Sequence, residues 1–160
     1  MSDITLQQTT VLVVGAGIMG TGIAQVAAQA GHTVLLHDAR EGAAEAAKTK
    51  LSATLDGLVT KGKLAADAAQ ALLARITPIR DVEEARDAGL VVEAIVEDLA
   101  AKRALFKQLE GVVSPQCVLA TNTSSISVTA IANGLAHPGR LVGMDFFNPV
   151  PLMKIGRAHV

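Results

Sequence analysis

Val11-Leu12-Val13-Val14-Gly15-Ala16-Gly17-Ile18-Met19-Gly20 couples an uninterrupted apolar run to a turn with glycine at its first, third and sixth positions. Consecutive apolar residues without alternation describe a strand buried on both faces. The Ala- and Gly-rich residues 19–30 that follow have helical character and stop at Gly31, the residue type expected just past a helix C-terminus. In the order strand, turn, helix, each glycine has a task. Gly15 permits the tight turn, Gly17 lets the main chain approach a pyrophosphate with no Cβ in the way, and Gly20 lets the helix lie close to the strand. Ala16, Ile18 and Met19 share that turn, and the free N–H groups of the helix start face the anion. Such glycines alone also fit a plain strand-to-helix connection. The next strand adds Asp38, about 20 residues after Gly17, where a carboxylate can accept both hydroxyls of an adenosine ribose. Its charge opposes a 2′-phosphate, so NAD is expected rather than NADP. Arg40 could attract such a phosphate, but reads as an exposed loop charge.

Further short apolar runs lie at residues 33–36, 90–92, 118–120 and 141–142, separated by Ala-rich helical stretches. Repetition of strand and helix predicts an open α/β fold with a mostly parallel sheet. Residues 41–75 exceed one crossover helix, and Lys61-Gly62-Lys63 divides them into a longer and a shorter piece, read as a helical hairpin projecting from the sheet edge. Residues 97–109 place Leu99, Leu105, Phe106 and Leu109 among Lys102, Arg103, Lys107 and Gln108, a one-sided helix; residues 127–135 suggest a shorter one.

The 160 residues suit one domain with a sizeable core. With 50% hydrophobic residues, 18% charged residues and a net charge of -1, neither a disordered tail nor a basic nucleic-acid surface fits. Cys117 is the single cysteine, so an intramolecular disulfide and a cysteine-based metal cage are excluded, and a reducing, cytoplasmic setting is expected. No apolar run reaches the roughly 18 to 20 residues of a membrane span, and the polar first ten residues do not read as an export signal.

Three more motifs join the glycine turn: Val92-Glu93-Ala94-Ile95-Val96-Glu97-Asp98-Leu99, Thr121-Asn122-Thr123-Ser124-Ser125-Ile126 and Gly143-Met144-Asp145-Phe146-Phe147-Asn148-Pro149. In order and spacing, residues 10–153 resemble the NAD-binding domain of the L-3-hydroxyacyl-CoA dehydrogenases, nearest the 3-hydroxybutyryl-CoA or phenylacetate-pathway type. The resemblance implies a Rossmann-type doubly wound sheet and oxidation of the 3-hydroxyl of an acyl-CoA, with hydride passing to NAD. It implies that Glu97 and Lys102 lie near the nicotinamide and its ribose, that Ser124 contacts both nicotinamide and substrate, and that Asn122 and Asn148 help hold the cofactor. Asn148 would also hold the catalytic base. Thr54 and Lys61, seven apart on one helix face, match positions that contact the CoA moiety. Bland readings stand beside these: Glu97 and Lys102 as solvated helix-end charges, Lys61 as an ordinary exposed lysine, and residues 122–125 as a capping cluster.

Two departures limit the resemblance. The family carries its catalytic histidine in Gly-Met/Leu-His-Phe-Phe-Asn-Pro, and this chain has Asp145 in that slot. A carboxylate with a reference pKa near 3.9 is a poorer base for an alcohol than an imidazole near 6.5. The family's following Leu-Val-Glu-Val, whose glutamate orients the histidine, is replaced after Lys154 by Ile155-Gly156-Arg157-Ala158-His159-Val160. These six residues back-translate as ATC GGA AGA GCA CAC GTC, the start of a common sequencing adapter whose next codon in frame is a stop, so a non-native tail is expected. The helical C-terminal domain that in the family closes over the acyl chain and forms the homodimer would then be absent, leaving apolar surface exposed near Phe146, Phe147 and Leu152. The expected readings are therefore an enzyme fragment or an NAD-binding module without turnover.

Overall fold

The computed structural model describes residues 9–153 and 157–159. Its centre is β1 (Val11–Val14), whose four residues are each at most 3% exposed. Neighbouring side chains on a strand point to opposite faces, and β1 feeds two cores accordingly. Val11 and Val13 join one cluster, and Leu12 and Val14 the other. The apolar run therefore lacks alternation because both faces are covered.

The chain continues through α1 (Ile18–Gln29), β2 (Val34–His37), α2 (Ala43–Thr60), α3 (Ala66–Ala74) and β3 (Ile76–Pro78). It then crosses to the other side of β1 through β4 (Leu90–Glu93), α4 (Leu99–Glu110), β5 (Val118–Thr121), α5 (Val128–Ala132), β6 (Leu141–Asp145) and α6 (Val150–Met153). A last strand, β7 (Arg157–His159), completes a seven-stranded sheet of order β3-β2-β1-β4-β5-β6-β7. All pairings from β3 to β6 are parallel, and β7 runs antiparallel to β6. The order reverses at β1, between β2 and β4, so a crevice opens outside the carboxyl ends of these strands. This is the doubly wound architecture expected from the sequence.

One face of the sheet is covered by α1, α2, α3 and the start of α6, which contribute Ile23, Leu51, Leu55, Leu72 and Val150. The other carries α4 and α5, with Phe106, Leu109 and Ile131 fully enclosed. The hairpin of α2 and α3 is thus anchored by Leu51, Leu55, Ala69 and Leu72, and its turn at Lys61-Gly62-Lys63 is exposed. No described helix is long and apolar enough to cross a membrane.

Several boundaries move from those expected. β2 lies one residue further on than 33–36, and β6 extends to Asp145 although polarity suggested an end at 142. Backbone pairing with β7 supplies the reason: Gly143, Met144 and Asp145 align with His159, Ala158 and Arg157. Because that ladder is made by main-chain groups, it places no demand on the side chains of the expected non-native tail. Of that tail, residues 155, 156 and 160 lie outside the described residues. The short edge strand β3 went unexpected, since Ile76-Thr77-Pro78 ends in a residue tolerated only at sheet edges. Helix α5 stops at Ala132, because Asn133 is extended and Gly134 takes φ 116°. Helix α4 starts after Asp98, whose carboxylate accepts from Ala101 N at 2.9 Å, leaving Glu97 outside the helix.

Phe106, with no exposed surface, closes the α4 core against β4 and β5. Phe106→Ala is expected to cost about 3–5 kcal/mol, read as a lowered urea midpoint by far-ultraviolet circular dichroism.

Candidate functional site

The three glycines of the turn do different work. Gly15 has φ +108°, and a Cβ there would come within 2.4 Å of Ala94 O. A Cβ on Gly20 would meet Gly15 O at 1.6 Å, well before Val13 Cγ1 at 3.6 Å. The expected close approach of helix to strand is therefore first a close approach of helix to its own turn. Gly17 differs, because nothing lies within 4 Å of its ideal Cβ. It is the N-cap of α1 and supplies no side-chain cap to the first-turn N–H groups. Space in front of uncapped amides fits a diphosphate, since both the partial charges and the missing Cβ favour an anion there.

Asp38, just past β2, has its side chain only 9% exposed. Its Oδ2 accepts from Ala16 N (2.8 Å) and Arg40 Nη2 (3.0 Å), and its Oδ1 from Arg40 N (2.9 Å) and Arg40 Nε (3.0 Å). The Arg40 guanidinium, helped by these amides and working against partial burial, holds the carboxyl down to about 2. Arg40 is exposed, as expected of a loop charge, but it is not idle: sequence spacing gave no sign that it would fork onto Asp38.

At the end of β4, fully buried Glu93 collects three donors. The Lys102 ammonium lies 2.5 Å and Ile95 N 2.7 Å from Oε2, while the Thr121 hydroxyl donates to Oε1 at 2.6 Å. Lys102 also reaches Glu97 Oε1 at 3.1 Å. The one-sided reading of α4 placed Lys102 on a wet face; its side chain is instead 1% exposed, because two carboxylates receive it. A spacing of five is immaterial here, since Glu97 precedes the helix. Glu93 was not singled out from the sequence, although a glutamate ending an apolar strand was the available signal.

Glu97 is half-exposed and ties β4 to the loop after β5. Its Oε2 accepts from the Thr123 hydroxyl (2.8 Å) and the Ser125 hydroxyl (2.6 Å). Burial opposes its charge, but the hydrogen bonds from Ser125, Thr123 and Lys102 outweigh this and lower its pKa below the ordinary value. Ser124, between those two residues, is left exposed. Across the gap, Asn122 Oδ1 accepts from Phe146 N at 2.9 Å, which fixes the segment leaving β6.

A cleft of about 510 Å³ results, with Met19, Glu97, Asn122, Ser124, Asp145 and Asn148 among its lining. Asp145 is 7% exposed at the end of β6. A second cleft, of about 400 Å³, runs between the glycine turn, α1 and α2; Ala16, Gly17, Ile18, Thr54 and Asn148 border it, together with Lys50. Lys61, at the exposed C-cap of α2, lines neither cleft. Around the openings Ile18, Val96, Phe147 and Leu152 are between 54% and 78% exposed, whereas Phe146 packs on the core.

A doubly wound sheet with this turn and this carboxylate at its switch point defines a dinucleotide-binding domain. Residues 10–155 match the family model described as "3-hydroxyacyl-CoA dehydrogenase, NAD binding domain". The chain belongs to this family, whose cofactor is NAD. It is 49% identical over 146 residues to the 3-hydroxyadipyl-CoA dehydrogenase of Escherichia coli K12, covering 91% of this chain and 31% of that protein. With the 3-hydroxybutyryl-CoA dehydrogenase of Clostridioides difficile it shares 41% identity over 143 residues, covering 89% and 51%. Among solved structures, the 3-hydroxybutyryl-CoA dehydrogenase of E. coli K12 superposes with a TM-score of 0.92 at 47% identity, covering 96% of this chain and 32% of that one. The (S)-3-hydroxybutyryl-CoA dehydrogenase of Ralstonia eutropha gives 0.90 at 36%, covering 95% and 54%. The chain thus spans about a third to a half of the length of these four proteins.

Two substitutions separate the glycines' tasks. Gly20→Ala should lower the melting temperature sharply, because backbone must move; Gly17→Ala should melt near the parent yet lose NADH affinity in a fluorescence titration. Lys102→Met, which strands buried Glu93, is expected to cost about 3–5 kcal/mol. Adding Glu93→Gln should recover part of that in urea denaturation.

Proposed function

We propose that this chain holds NAD across the crevice at the carboxyl ends of β1, β2 and β4 and, within a longer protein, presents it to the 3-hydroxyl of a hydroxyacyl-CoA. The observation that carries this reading is the cleft beside the glycine turn, which gathers Met19, Glu97, Ser124, Asp145 and Asn148 from at or just beyond the ends of four separate strands. When bound, NAD supplies the hydride acceptor.

The chain's own residues then have definable roles. Amides at the start of α1 receive the diphosphate and Asp38 the adenosine ribose. Glu97, held by Lys102, Thr123 and Ser125, borders the nicotinamide side and fixes the loop that carries Ser124. The exposed Ser124 hydroxyl hydrogen-bonds the substrate oxygen. Asn148 borders both clefts and joins the cofactor side to the channel past Thr54, through which the pantetheine arm of a CoA runs. Lys61, at the outer end of α2, offers a point charge to a CoA phosphate.

Asp145 stands where the resemblance puts the histidine, and this favours a second statement about the same site: the chain as given binds dinucleotide with little or no turnover. Replacing an imidazole base by a carboxylate forfeits much of the roughly 10²–10⁴-fold that general-base catalysis contributes. Exposed Ile18, Phe147 and Leu152 at the cleft mouth support docking of further protein there, consistent with a homodimer of the longer form. A cytoplasmic location agrees with the single buried thiol of Cys117. For residues 155–160 the adapter reading is also proposed, and their codons decide it.

Calorimetric titration of the chain should show NADH binding without NADH oxidation on adding acetoacetyl-CoA. In a version extended by a family C-terminal domain, Asp145→His should raise kcat by about 10²-fold or more. No binding of NADH by folded chain would refute the proposal.

A further inference from the structure

Asp38 is saturated. A carboxylate offers about four lone-pair positions, and Ala16 N, Arg40 N, Arg40 Nε and Arg40 Nη2 take four of them. The two main-chain donors belong to the turn and to the start of the next loop, and stay wherever the backbone stays. The guanidinium donors are different, because the Arg40 side chain is 73% exposed and can turn into solvent with no change of backbone. A ribose diol also brings two O–H donors. It can reach Asp38 only by taking the places that Nε and Nη2 occupy, so the guanidinium imitates the ribose and competes with it.

Displacement does not send Arg40 far. Its main-chain N remains 2.9 Å from Asp38 Oδ1, and its side chain borders both the cleft at the glycine turn and a recess of about 510 Å³ at the end of β2. Arg80 lines the same recess, opposed by Glu41 and Glu45. A released guanidinium is therefore kept by its own backbone within reach of a ribose held on Asp38, where a 2′-phosphate would offer it a bidentate partner and a 2′-hydroxyl would not.

We infer that Arg40 is a specificity-determining residue that blunts the preference of Asp38 for NAD, competing with the adenosine ribose for the carboxylate and offering a partner to a 2′-phosphate. The inference rests on the dinucleotide site proposed above. Both effects act in one direction on the ratio of the two affinities, whichever is larger. Asp38 alone repels a phosphate; Asp38 neutralised by a mobile cation repels it less.

The test is titration of the chain, Arg40→Ala and Arg40→Lys with NADH and with NADPH, followed by nicotinamide fluorescence, with circular dichroism confirming the fold of each variant. Arg40→Ala should raise the ratio of Kd for NADPH to Kd for NADH by about tenfold. NADH should bind at least as tightly as to the parent. Arg40→Lys keeps the charge without the fork, so its ratio should fall between the other two. An unchanged ratio in Arg40→Ala, or an equal rise in Arg40→Lys, would overturn the inference while leaving the dinucleotide site intact. Binding of neither dinucleotide by the parent would instead remove the proposed function and this inference with it.

Discussion

Everything near the crevice depends on how closely bare main chain packs at the end of β1. The Gly15 carbonyl occupies the place where a side chain on Gly20 would begin, and Gly15 itself presses against the carbonyl of Ala94. Turn, helix start and the loop after β4 are therefore locked by contacts that no side chain can loosen. Gly17 is the exception that proves useful. Its surroundings are open, so of the three turn glycines the one without a packing reason is the one at the helix N-terminus, where an anion can approach uncapped amides. A fold-only explanation accounts for Gly15 and Gly20 but leaves Gly17 without a cause.

Around that rigid centre, the carboxylates of Glu93, Glu97 and Asp38 are satisfied in three ways. Glu93, with no exposure, is enclosed by a lysine, a hydroxyl and an amide, an arrangement that fixes geometry at the cost of desolvating two charges. Glu97 shares the lysine but spends its other oxygen on Thr123 and Ser125, transmitting the fixed position of β4 to the loop after β5. Asp38 is itself nearly buried and is paired with an exposed arginine. The gradient runs from a pair with both charges buried to one whose cation lies in solvent. It suits the proposed site, which asks for a fixed cradle at one end of the dinucleotide and an exchangeable partner at the other.

Much of this was legible in the chain because continuous apolar strands and glycine spacing are local signals. Val11–Val14 and the turn after it marked the expected dinucleotide turn, and four motifs in register carried the resemblance. Two kinds of feature were hidden. Short edge strands, β3 and β7, have too few residues for a periodicity and owe their existence to backbone pairing with a neighbour already in place. Buried ion pairs were hidden for the opposite reason: Lys102 reads as a polar face of α4 because helical periodicity takes no account of a carboxylate waiting on the adjacent strand. The fork of Arg40 on Asp38 was hidden for another reason, since it follows from the turn geometry after β2.

The segment from Asp145 to Val150 shows how the two halves of the site are kept in step. Asp145 ends a strand paired on both sides, by β5 up to Gly143 and by β7 through Asp145 itself. One residue later, Phe146 N donates to Asn122 of the loop that carries Ser124. Asn148 then borders both clefts, and Val150 enters the core so close to α1 that a Cβ on Gly22 would come within 2.9 Å of its own Cβ. Gly22 therefore has a packing task of its own, outside the turn motif: it lets α1, which begins at the glycine turn, touch α6, which follows the segment carrying Asp145 and Asn148. A side chain at Gly22 would force α1 and the start of α6 apart. The amides at the start of α1 and the polar groups after β6 are thus referred to one another through the packing of α1 on α6, with Gly22 against Val150 and Pro151, which makes their spacing a property of the core and not of the exposed loop between them.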